Sequence, residues 1–234
     1  MHLLSWKNQL YSWKFGLSSA RLVEVRTYGD PCGIARALDL VGERWALLVV
    51  RELLLGPKRF TDLRAGLPHV GPDMLAQRLR ELEQSGVVQR AKLPPPAAAH
   101  VYELTDWGRQ LEPVVLALGR WGSQAPFPPG QDELGIDAMV LALKTVFDPT
   151  RAENLRGQAF ELRLGETPFA IRVGETALEA ARGAATDPVA TIATEPGILQ
   201  QVLWRDRPLR AGGLEIGGDR RAGERFLRLF PIPS

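Results

Sequence analysis

GPDMLAQRLRELEQSGVVQR, residues 71–90, passes from a helical period to an alternating one at a single glycine. Leu75, Leu79 and Leu82 fall on one face of a 3.6-residue helix, while Asp73, Gln77, Arg80 and Gln84 point roughly the opposite way and Arg78 lies on a flank. Pro72 and Asp73 suit a first helical turn and Gly86 suits a stop. Such a helix is anchored by one stripe and presents glutamine and arginine on the other.

Working outward, the elements on either side give that helix a setting. Upstream, DPCGIARALDLVG reads as a helix with Asp30 as cap and Pro31 in its first turn, stopped at Gly42. ERWALLVVRELLLG reads as an almost wholly apolar core helix carrying Trp45, Leu48, Val49 and Leu53 and ending at Gly56. KRFTDLRAGL supplies a short helix, and PHVGP turns the chain into residues 71–90. Downstream, VVQRAKL and HVYELT are β-prone runs joined by PPPAAA, an antiparallel ribbon with a protruding tip. Thr105 caps a last helix with Leu111, Val114, Val115, Leu118 and Trp121 on one stripe, which Pro113 bends or opens.

Helix, turn, helix and β-ribbon in that order make residues 71–90 a candidate recognition helix. Major-groove base edges offer acceptors to arginine and a donor–acceptor pair to glutamine, so Gln77 and Arg80 are the candidates for base contact. Asp73 stands at the helix start, where free N–H groups can meet a phosphate. Arg78, Lys58, Arg59, Arg90, Lys92 and His100 are candidate backbone contacts. Glu81 and Glu83 count against the reading, because carboxylates near phosphates repel. A polar back is also what any solvated surface helix shows.

The stretch from Cys32 to Gly122 resembles the HxlR-type winged helix–turn–helix transcription regulators. The shared features are a cysteine before the first helix, GERW ahead of the core helix, GPKRF, QRLRELEQSGVV, YELT closing the wing and a terminal WG. The resemblance implies a cytoplasmic homodimer on double-stranded operator DNA, with the first and last helices forming much of the dimer contact. It also places Cys32 where some members carry a redox or electrophile sensor, and a helix start is a setting that raises thiol reactivity. A free cysteine is as readily a small apolar filler. The sequence departs from the family at the wing tip, where PPPAAA lacks basic residues, and in the residues before Tyr28.

SQAPFPPGQDE, residues 123–133, contains a linker at 124–131 that leads to a second unit at 132–234. There IDAMVLALKTVF, EPGILQQVLWRD and DRRAGERFLRLF read as helices, and AFELRLG, PFAIRVG, ALEAARG, PVATIAT and GGLEIGG as short strands. The succession FELRLG, FAIRVG, PVATIAT, ILQQVLWRDRPL and GGLEIGGDRRAGERFLRLF resembles the sterol-carrier-protein-like fold. That resemblance implies an apolar cavity for a small hydrophobic ligand, with Phe147, Phe160, Phe169, Ile171, Leu199, Leu203, Trp204 and Phe226 as candidate lining. Ordinary core packing is the alternative for each of them. The expected fold is α+β: a winged helix–turn–helix domain at 30–123 followed by a mixed α/β sterol-carrier-like domain.

Composition bounds the function. A net charge of +2 means that any nucleic-acid binding must come from local arrangement of charge. One cysteine excludes an intrachain disulfide and fits a reducing cytoplasm, and no apolar run is long enough to span a bilayer. No nucleophile–base pair, metal-ligand spacing or phosphate-binding glycine loop is present, so neither an enzyme nor a bound cofactor is expected. In residues 1–29, Leu3, Trp6, Leu10, Trp13 and Leu17 line one helical seam. It reads as an arm packing on its own domain or on a partner subunit; a membrane-surface helix and a flexible extension are the alternatives. The rival to a DNA-binding repressor is a carrier or store of hydrophobic ligand whose first domain only dimerises.

Overall fold

The computed structural model describes residues 27–94, 99–125 and 133–231. The N-terminal seam, most of the linker and four residues of the wing tip lie outside them. Helix α1 (Gly33–Val41) begins two residues later than expected: Cys32 is its cap position, and the Asp30 carboxylate accepts the Cys32 N–H at 2.8 Å, leaving Pro31 outside the helix. Helix α2 (Ala46–Leu53) is shorter than the apolar run suggested. Trp45 stands before it with a left-handed backbone (φ 77°) and so is outside the helix, while Leu48 is in the helix but faces solvent rather than the core.

Helix α3 (Phe60–Gly66) starts with the Asp62 carboxylate accepting the Arg59 N–H at 3.1 Å. Helix α4 (Pro72–Gln84) then buries Leu75, Leu79 and Leu82 against Val49, Val50, Leu53 and Leu63. Its end is a Schellman motif. Gly86, at φ +73°, sits in the left-handed conformation, Val87 N–H returns to Leu82 O at 3.0 Å, and Gly86 N–H returns to Glu83 O at 3.0 Å. The glycine that marks the change of period in the sequence thus reverses the chain into the wing.

Strands β1 (Val88–Lys92) and β2 (His100–Leu104) pair antiparallel, with Val88 opposite Leu104 and Lys92 opposite His100. Lys58 adds a one-residue third strand, exchanging both backbone hydrogen bonds with Tyr102 at 2.8 and 2.9 Å. The expected last helix is two: α5 (Asp106–Arg109), capped by the Thr105 hydroxyl, and α6 (Glu112–Gly122), with Pro113 in its first turn. Proline lacks the N–H that a continuous helix would need there.

The second unit is built on one sheet. After α7 (Ile136–Val146) come β3 (Ala159–Leu164), β4 (Thr167–Val173), β5 (Leu178–Arg182) and β6 (Ala190–Thr194). Helix α8 (Pro196–Trp204), β7 (Leu214–Gly218) and α9 (Arg220–Leu227) close it. The strand order is β5-β4-β3-β6-β7, with β3 and β6 parallel and the other neighbours antiparallel. Every second residue of β3 (Phe160, Leu162, Leu164) faces one side, opposite Ile171 and Phe169 of β4, and Phe226 of α9 stacks on Phe160 at 4.6 Å. The helices therefore cover this face. Leu55, from the loop after α2, is buried in this second core, and Leu54 packs against both cores.

Glu161 alternates to the other face of the sheet, where it is buried, paired to Arg163 at 2.7 Å and accepting the Ala185 N–H at 3.0 Å. The Arg163 hydrogen bond, helped by the Ala185 N–H, holds its carboxyl below the usual glutamate range against the opposing pull of burial. A depressed folded value makes this stabilisation complete above the ordinary glutamate range and lost as pH falls through the folded value. Glu161→Gln is therefore expected to lower the melting temperature at pH 7 and to converge with wild type in acid. Parallel melting curves from pH 7 to pH 3 check this, and a constant offset would contradict it.

Candidate nucleic-acid interface

The leucine stripe of α4 faces the core, and its opposite side is in water: Asp73, Gln77, Arg80 and Gln84 are all exposed. Gln77 donates from Nε2 to Glu81 Oε1 at 3.0 Å. Arg59, at the start of α3, and Lys92 and His100, paired across the outer end of the wing, are exposed as well. Arg90 is exposed but engaged. It forks the Glu83 carboxylate at 2.8 and 3.1 Å and lies over the Tyr102 ring at 5.4 Å. Hydrogen bonding to Glu83 raises its already high pKa, so it stays charged while part of that charge is neutralised locally.

Two expected phosphate contacts are corrected. Arg78 is only 5% exposed and holds α4 to the body of the domain, ion-paired to Glu43 at 3.5 Å and to Glu81. Lys58 is 8% exposed, with its amine between Glu52 at 2.6 Å and Asp137. Lys58 cannot leave for a phosphate without stranding two buried carboxylates, and Arg78 is held back by its own burial, since its two partners are exposed. The acidic residues that seemed adverse have structural partners instead: Glu81 orders Gln77 and Arg78, and Glu83 orders Arg90. The i, i+3 and i, i+4 spacings of Arg78–Glu81 and Gln77–Glu81 carried that signal in the sequence.

The family model for the HxlR-like helix-turn-helix matches residues 40–127. YvaP, named as an uncharacterized HTH-type transcriptional regulator of Bacillus subtilis, is 37% identical over 89 residues, which span 38% of this chain and 82% of YvaP. The chain belongs to the HxlR-like helix-turn-helix family. The HTH-type transcriptional regulator YodB of the same organism is 39% identical over 88 residues, 38% of this chain and 79% of YodB. A solved structure of YodB in its reduced form is 37% identical, covers 40% of this chain and 92% of that one, and superposes with a TM-score of 0.36.

In this HxlR-like unit two helices keep apolar faces in water. Ile34 of α1 and Trp121 of α6 are each 73% exposed, and Leu38, Val114 and Leu118 are exposed beside them on the same helices. Only Leu111 and Val115 of the expected stripe pack against the first core. Cys32 is exposed at the cap of α1. Among the described residues, no helix is long and apolar enough to cross a membrane.

The expected cavity lining lies elsewhere. Phe147, Phe160, Phe169, Ile171, Leu199 and Phe226 are buried among one another in the second core, while Leu203 and Trp204 are half-buried at its edge. Phe226 meets Phe160 at 4.6 Å and Phe230 at 5.1 Å, so a ligand among these rings would first have to part them. Trp204 is further tied by its indole N–H, which donates to Phe230 O at 3.0 Å.

Proposed function

We propose that the chain is a DNA-binding transcription regulator, a repressor, that acts as a cytoplasmic homodimer on a near-palindromic operator. The observation that carries this is α4, a helix clamped by three buried leucines whose outward side presents Gln77 and Arg80 beside a β-wing. Arginine suits the N7 and O6 acceptors of guanine, and glutamine suits adenine. Arg59, Arg90, Lys92 and His100 would contact phosphates. With α1 and α6 closing a two-fold interface, two α4 helices would enter successive major grooves ~34 Å apart.

Selection of bound duplexes from a random pool tests the reading. A two-fold-related consensus whose affinity falls steeply with salt is expected. Failure to enrich any sequence would favour the ligand-carrier alternative. The dimer rests on the apolar faces of α1 and α6. Trp121→Glu places a charge in that contact, and an unpaired buried charge costs several kcal/mol, so the variant should sediment as a monomer at micromolar concentration. A variant that remains dimeric would place the interface elsewhere.

Two inputs belong to the same proposal. Cys32 is open to oxidants and electrophiles, and as the only cysteine it would form a disulfide with a small thiol or a second subunit. We read the second unit as sterol-carrier-like, from its run β3–β4–β5–β6–α8–β7–α9 on one sheet. A hydrophobic ligand held there would act by binding two arrangements of the dimer unequally.

A further inference from the structure

Lys58 joins three parts of the molecule at one point. Its backbone is the third strand of the wing, bonded in both directions to Tyr102. Its amine is sealed between Glu52 of α2 and Asp137 in the first turn of α7, and the carboxylate-bearing side chains are 2% and 1% exposed. Arg51 also pairs with Glu52 at 2.8 Å, and Arg182 of β5 also pairs with Asp137. On the far side of Tyr102, Arg90 lies over the ring and forks Glu83 of α4. Asp137, Lys58, Tyr102, Arg90 and Glu83 thus form an unbroken line of contacts from the second unit through the wing to the recognition helix.

The second unit is itself firmly seated on the first. Lys144 of α7 pairs with Glu112 of α6, and Arg120 donates to Thr145 O at 3.1 and 3.2 Å. Leu55 fills part of the second core. Helix α7 is therefore a fixed platform, and the Asp137 carboxylate extends from it to the wing. Burying each of these charges is costly, and the arrangement persists only while each has its partner. Without the Asp137 charge, Lys58 is left with Glu52, a carboxylate already shared with Arg51. With the Lys58–Asp137 pair gone, whichever partner is changed, the strand at residue 58 loses its ionic anchor on α7.

We propose that Asp137 is a positioning residue for DNA reading: acting through Lys58, it sets the wing against α4 and couples the second unit to the DNA-binding face. This rests on the regulator reading given above, and it makes the second unit part of the reading head. A change in α7, whatever its origin, would then reach the wing directly.

The test uses the full chain with Asp137→Asn, and with Lys58→Met/Asp137→Asn, which removes the ionic link without leaving a lone buried amine should the single variant fail to fold. Amide hydrogen exchange is followed in residues 88–92 and 100–104 and compared with β3 and β4. Exchange in the wing should rise about tenfold in either folded variant while the sheet stays as in wild type. Affinity for a duplex selected with wild type should fall about tenfold, with the dimer intact. Wing exchange unchanged in both variants, or raised equally in wing and sheet, would overturn the proposal and reduce the cluster to inter-unit glue. The exchange measurement needs no DNA. Failure to find any duplex would therefore sink the regulator reading while leaving the wing tether established.

Discussion

Gln77→Ala/Arg80→Ala is expected to weaken binding to a selected duplex by roughly 10³-fold or more, because two base-edge contacts are lost in each of two half-sites and each good contact discriminates by about 1–3 kcal/mol. Both side chains are exposed, and neither contributes to the leucine stripe, so folding stability should change by no more than about 0.5 kcal/mol. The single variants should differ in character. Arg80→Ala removes a charge as well as a base contact and should also flatten the salt dependence, whereas Gln77→Ala should relax base preference at one position per half-site and leave the salt slope alone. Gel-shift titrations at several salt concentrations, with a thermal melt of each variant, check both. A double variant that binds as wild type would exclude the outer face of α4 as the reading surface.

Phe160→Ala should cost about 3–5 kcal/mol of stability. Phe160 is fully buried at the centre of the second sheet, between Phe226 on the helix side and its neighbours Ile171 and Ala190 across the strands. Removing the ring leaves a void that the flanking strands, bonded on both sides, cannot readily close. Denaturant titration reads the loss directly. If Phe160 instead lines a cavity that exchanges ligand, the cost should be far smaller, because part of the ring's contacts would already be missing. The same substitution thus separates packed core from ligand chamber.

The parts of the fold that were legible in the sequence are those governed by local period. The stripe of Leu75, Leu79 and Leu82, the stop at Gly86 and the two wing strands follow from spacing alone, and so do the strands of the second unit. Long-range partners were not legible. Lys58 and Arg59 are adjacent basic residues, yet one is buried and the other exposed, and what separates them is a pair of carboxylates, Glu52 on the preceding helix and Asp137 in a different unit. Arg78 looked like a flank cation because Glu43, which draws it inward, lies before α2. Trp45 fitted an apolar helix on hydrophobicity, but its left-handed backbone is a property of the turn it occupies. The apolar stripe on α6 was legible as a stripe; that Val114, Leu118 and Trp121 of it meet water in the single chain depends on packing between elements, which periodicity does not encode.

Leu55 has a consequence for how such a molecule can be dismantled. Because its side chain belongs to the second core while its backbone belongs to the first unit, severing the chain between the two would uncover an oily peg on one fragment and leave its socket empty on the other. Each fragment would tend to clump unless position 55 were made polar and the hole refilled. Grafting this reading head onto a foreign sensor would meet the same obstacle, since the joint lies in the packing at residue 55 and not only in the covalent connection.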